Sequence, residues 1–162
     1  MKIKEVVDAL ERFAPLPLQE SFDNAGLQVG LTEVEVSGAL LCLDVTEAVV
    51  DEAVALGCNL IVSHHPLIFH ALKHVTYDND VQRAVAKALK NDVTVVSMHT
   101  NMDNARGGVN FRIAEKMGLE DCRFFADKTV DGIECGSGVI GCLPEAVAGD
   151  DFVLMLKRTF RA

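Results

Sequence analysis

Positive charge is scarce in this chain. Its 162 residues carry 15 Lys and Arg against 24 Asp and Glu, a formal net charge of −9. Non-specific nucleic-acid binding needs a basic surface to displace counterions, so no nucleic-acid partner is expected. The acidic surplus is mild enough for solubility alone to account for it. Paired cysteines are lacking too. Cys42, Cys58, Cys122, Cys135 and Cys142 are odd in number and show no C-x-x-C spacing. A zinc knuckle or disulfide framework is therefore not expected, and reduced thiols in a cytoplasmic protein are. No apolar run approaches a membrane span, which argues against a membrane partner. The start, Met1-Lys2-Ile3-Lys4-Glu5, lacks the apolar core of a signal peptide. Nucleophile-elbow and dinucleotide-binding glycine patterns are missing. Arg106-Gly107-Gly108 has neither the spacing nor the lysine of a phosphate loop.

What is present is an ordinary globular composition, 49% apolar and 24% charged, in a chain long enough to bury a proper core. Ile3, Val6, Val7, Leu10 and Phe13 recur at helical spacing until Pro15 and Pro17. A turn-rich stretch, residues 20–30, comes next. Residues 39–45 form a continuous apolar strand broken by Asp44. Thr46 can cap a helix faced by Val49, Val50, Ala53 and Val54, with Gly57 as its stop. A second strand covers residues 58–63 and a third residues 93–98. The helix between them starts at Asp78 or Asp80. Gly107-Gly108 turns into another helix, which Gly118 closes. The last third holds a strand near 137–142 and a helix near 150–160. This alternation predicts an α/β fold, a mostly parallel sheet with helices on its faces.

The chemistry concentrates at two strand ends. Residues 59–63 run straight into His64-His65-Pro66, and residues 93–98 run into His99, then on through Asn101 to Asp103. Ligands of open parallel sheets bind outside the carboxyl ends of the strands. Neighbouring side chains on a strand face opposite ways. His64 and His65 therefore converge only if the strand ends there, as Pro66 favours, or else each serves a different metal of a pair. Imidazole with carboxylate suits zinc, iron, manganese, nickel or cobalt. His70 and His74 stand in the same loop without a supporting carboxylate between them and are read as surface or supporting residues. Asp23 and Asn24 fit either plain turn chemistry or the rim of the site. Asp44 fits the site or a helix cap, with the cap preferred.

These residues resemble a known family, the Nif-three-like proteins, also called type 2 GTP cyclohydrolase I homologues. Four blocks carry the resemblance: Ser21-Phe22-Asp23-Asn24-Ala25-Gly26-Leu27-Gln28-Val29-Gly30, Ser63-His64-His65-Pro66-Leu67-Ile68-Phe69, His99-Thr100-Asn101-Met102-Asp103, and Gly136-Ser137-Gly138-Val139-Ile140-Gly141-Cys142-Leu143-Pro144. Phe22 stands where many members carry tryptophan. The resemblance implies a two-lobed α/β fold in a toroidal homohexamer, with two divalent metal ions in each subunit. His64, His65 and Asp103 match metal ligands, and His99 matches a histidine beside the centre. The family's C-terminal histidine and glutamate ligands have no match here. Residues 1–130 are accordingly expected to be the N-terminal metal-binding lobe, and residues 131–162 the start of a truncated second lobe.

The expected function is that of a metal-dependent hydrolase acting on a small polar molecule. The cyclohydrolase name points to a nucleotide, with His99 as the proton-transfer group. The rival is a non-enzymatic metal-binding scaffold that uses its ring for protein interaction.

Overall fold

Ile3–Phe13 forms α1, with Ile3 and Val7 buried and the Glu5 carboxylate accepting from the Lys2 backbone N–H at 2.6 Å. That bond satisfies one of the donors a helix start leaves orphaned. A short 3-10 turn, Leu16–Leu18, succeeds it. The computed structural model describes residues 1–161, which form two compact units, Met1–Met102 and the described residues from Asp103 onward.

The first unit is built on four strands: β1 (Gly26–Val29), β2 (Ala39–Cys42), β3 (Leu60–Ser63) and β4 (Thr94–Ser97). Their order is β1-β4-β3-β2. β2, β3 and β4 are parallel, whereas β1 runs antiparallel to β4. Helices α2 (Glu47–Ala55) and α3 (Asp80–Lys90) make the crossovers. The Thr46 hydroxyl caps α2 by accepting from the Val49 N–H at 3.3 Å. Asn79, the residue between the two expected starts, caps α3 at Gln82. One face of the sheet packs Ile61 and Val95 against Val50, Ala53, Val85 and Ala88 of these helices. Leu60 and Val96 point the other way by alternation and are also buried. Burial on both faces is why β3 and β4 read as unbroken apolar runs.

Strand register shapes the carboxyl edge of this sheet. Cys42 pairs with Ser63, and Ser63 with Ser97, so β2, β3 and β4 end level. The Ser63 and Ser97 hydroxyls lie 2.8 Å apart. Gly26 also pairs with Ser97, so reversed β1 begins at the edge where the other three stop.

Helix α4 (Thr100–Asn104) comes after β4 and leads into the second unit. There α5 (Val109–Lys116) precedes a long antiparallel hairpin, β5 (Glu120–Val130) with β6 (Ile133–Cys142). The boundary expected at 130/131 coincides with the turn of this hairpin. The Arg106 guanidinium lies over the rings of Phe111 and Phe124 and pairs with Glu134 at 2.7 Å. Helix α6 (Gly149–Phe160) ends the described chain. No helix among the described residues is long and apolar enough to cross a membrane.

Candidate metal centre

Because the strands end level, the residues just beyond them meet at one edge. His64 and His65 continue from β3, and His99 lies two residues past β4. One ligand nitrogen from each of the three imidazoles lies within 4.8 Å of the others. The ring centroids are 5.0 to 5.5 Å apart. Among the described residues this is the group of three potential metal donors that the fold assembles.

The hydrogen bonds of the cluster define its chemistry. His64 Nδ1 lies 3.0 Å from the Met98 carbonyl, His65 Nδ1 2.7 Å from Asp44 Oδ1, and His99 Nδ1 2.8 Å from Asp23 Oδ1. A carbonyl or carboxylate oxygen only accepts, so each Nδ1 is the protonated nitrogen. Each neutral ring then carries its lone pair on Nε2, the atom a metal takes. Metal-binding histidines characteristically donate their other N–H in this way, which fixes the tautomer and raises ligand basicity.

The three supports differ in strength. Met98 offers a neutral carbonyl. Asp44 offers a carboxylate 64% exposed, whereas the Asp23 side chain is fully buried. Burial alone would raise the Asp23 carboxyl. Hydrogen bonds from the Thr100 hydroxyl, His99, and the backbone N–H groups of Thr100 and Asn24 outweigh it and hold the carboxyl below the ordinary carboxylate range. The Thr100 hydroxyl in turn accepts from the Glu20 N–H at 2.9 Å. Cys42 ends β2 nearby. Its thiol is pushed up by burial first, and then by the Asp44 and Glu52 carboxylates.

Asp44 is therefore no helix cap: Thr46 does that, and Asp44 orients His65. Asp23 does more than shape its turn, because antiparallel β1 begins at the carboxyl edge and brings the residue before it to His99. The clue available in the sequence was position, since both aspartates lie within three residues of a strand end. His70 and His74 stand outside the cluster. His70 meets the Phe69 ring edge-on at 5.0 Å, and His74 Nε2 lies 3.7 Å from Asp78. Asp103 sits on α4, at the first position of the second unit.

A parallel-edged α/β sheet gathering three oriented imidazoles defines a protein with a candidate metal centre. The family model for Duf34/NIF3 (NGG1p interacting factor 3) matches residues 1–162, and the chain belongs to that family. It is 32% identical over 161 residues to the GTP cyclohydrolase 1 type 2 homolog of Clostridium acetobutylicum, covering 99% of this chain and 60% of that protein. The Clostridium perfringens homolog of the same name is 35% identical over 157 residues, with 97% and 60% covered. The chain thus spans about 60% of the length of these relatives. Among solved structures, Staphylococcus aureus protein SA1388 matches with TM-score 0.88 at 29% identity, covering 99% of this chain and 66% of that one. Reduced HcgD from Methanocaldococcus jannaschii matches with TM-score 0.81 at 29% identity, with 98% and 60% covered.

Proposed function

We propose that this chain is the metal-holding part of a hydrolase acting on a small polar substrate. His64 and His65 would hold divalent metal, with Asp103 the further ligand that the family resemblance implies, and His99 moves the proton. The observation that carries this reading is the common orientation of the imidazoles, each donating Nδ1–H to a protein oxygen. Metal-binding histidines characteristically donate their other ring N–H in this way. The donor set, nitrogen with carboxylate and no thiolate, fits zinc, iron, manganese, nickel or cobalt. Bound divalent metal supplies acidification of water and polarisation of a substrate oxygen.

The chain's own groups do the rest. Asp23, buried and ionised, holds His99 in one orientation and balances the charge His99 gains when Nε2 takes a proton. Asp44 orients His65, and the Met98 carbonyl orients His64. The relatives' name supports a nucleotide as substrate. The same reading gives the whole protein a homohexameric ring in the cytoplasm, where the free thiols stay reduced.

Elemental analysis of the purified chain tests the site. Transition metal is expected in wild type and lost in His64→Ala and His65→Ala. Wild type that neither carries such a metal nor takes one up on titration overturns the reading. Turnover of nucleotides, phosphoesters and small amides by metal-loaded protein is expected to vanish in His99→Ala with metal retained. Metal without turnover of any of these would favour the scaffold.

A further inference from the structure

Two cavities lie back to back in the first unit, sharing Pro66, Leu67 and Val81 as lining. Their charges are opposite. The first, about 390 Å³, is lined by Asp44, Glu47 and Asp80 together with His65. The second, about 510 Å³, is lined by His70, Lys73 and His74, and none of the described residues lining it is a carboxylate. Its volume is that of a small-molecule pocket. Lys73 is its fixed positive charge and forms no ion pair among the described residues. His74 is partly engaged with Asp78, so Lys73 and His70 carry the argument.

Phe69 joins this cavity to the imidazole cluster. Its ring lines the cavity, meets His70 at 5.0 Å and meets His99 edge-on at 6.3 Å. The loop that forms the cavity is tied down at both ends. At the near end, Asn24 Nδ2 donates to the Ile68 carbonyl at 2.6 Å, and the Ile68 N–H donates to Gln28 Oε1 at 3.1 Å. At the far end the buried Gln82 Oε1 accepts from the N–H groups of Thr76 and Asp78, at 2.9 and 3.1 Å. A pocket held in this way costs a ligand little ordering on binding.

We propose that this cavity binds the anionic end of the substrate, a phosphate or carboxylate carried on a flat ring. The ring lies against Phe69 and the anion meets Lys73 and His70, leaving the other end of the molecule toward His99. In a chain of net charge −9, an anion needs a local reason to approach, and the unpaired ammonium beside imidazole N–H donors supplies one. The apolar wall of Leu67, Phe69, Leu72 and Val81 fits a ring better than a free inorganic ion. The assignment rests on reading the imidazole cluster as the reacting centre.

Calorimetric binding of phenyl phosphate, benzoate and inorganic phosphate to the full chain, after chelator treatment to keep phosphate off any metal, tests it without turnover. Phenyl phosphate or benzoate is expected to bind at least tenfold more tightly than inorganic phosphate, and the better of the two identifies the anion. Lys73→Glu, a change at an exposed position, should weaken that binding tenfold or more. Phe69→Leu should weaken it severalfold, and added salt should weaken it further. Unchanged binding in Lys73→Glu, or ring compounds no tighter than inorganic phosphate, overturns the proposal. Metal content should be the same in Lys73→Glu and wild type, so either reading can fail while the other stands.

Discussion

Asp23 and Asp44 do the same job from opposite environments, and this sets what their removal costs. The Asp23 side chain is fully buried, with His99 and Thr100 bonded to it. Asp23→Asn should destabilise the metal-free protein by about 1.5–3 kcal/mol, the usual worth of hydrogen bonds to a buried charge. The pH dependence has a definite sign. A carboxyl held below its unfolded value contributes stability above that value, and the contribution is lost as pH falls through the folded one. Urea titrations in chelator should therefore show the gap between wild type and Asp23→Asn fully open above about pH 4 and closing as the solution is acidified further. A gap that stayed constant into strong acid would show that Asp23 is not the titrating group. Asp44 is mostly exposed, so Asp44→Ala should leave stability nearly unchanged. By releasing His65 it should weaken zinc binding by about 10–100-fold, the range for loss of a histidine's supporting partner. Competition with a chromogenic chelator reads that number directly.

At the scale of elements, β3 and β4 were legible because burial on both faces leaves unbroken apolar runs, and α1, α2, α3 and α5 because their apolar spacing and stop signals agree with the fold. Two strands were not. β5 has Phe124 as its buried residue, so no alternation marks it, and its partner β6 begins at Ile133 rather than near 137. β1 is four residues long and interrupted by a bulge between Leu27 and Val29. Its sequence reads as turn because Gly26 opens it and Asp23, Asn24 and Gly30 flank it. The same illegibility hid part of the site. The three histidines were visible at the ends of apolar strands, while the supporting role of Asp23 depends on a reversed strand that no local pattern announces. Gly30 closes β1 with φ +110, and a Cβ there would stand 2.6 Å from the Thr94 Cα. Neither the backbone angle nor the space admits a side chain. Gly30→Ala should cost about 2–4 kcal/mol, at the upper end for single substitutions, and a fall in the urea midpoint with unchanged slope would measure it.

For the molecule as a whole, the candidate centre links metal to stability. The imidazoles come from two different strand ends and their two aspartate supports from two more, so an ion bound there holds together segments that unfolding separates. An ion present at 100 times its dissociation constant adds about 2.7 kcal/mol. For a chain of this size that corresponds to roughly 5–10 °C in Tm. Thermal melts with zinc and with chelator should differ by this amount in wild type, and the difference should disappear in His64→Ala. An equal shift in that variant would place the stabilising ion elsewhere.

The reversed β1 also imposes a schedule. His99 and Asp23 stand 76 positions apart in the chain, and among the described residues β1 pairs in its sheet with β4 alone. At roughly 5–20 residues per second of synthesis, Asp23 leaves the ribosome roughly 4–15 s before the histidine it orients. Throughout that interval the nascent segment from Gly26 to Val29 is an unmatched edge, and His64 and His65 emerge without their third companion. The cluster and its buried support are therefore completed only late in the synthesis of each new molecule, whenever His64 and His65 become available to an ion.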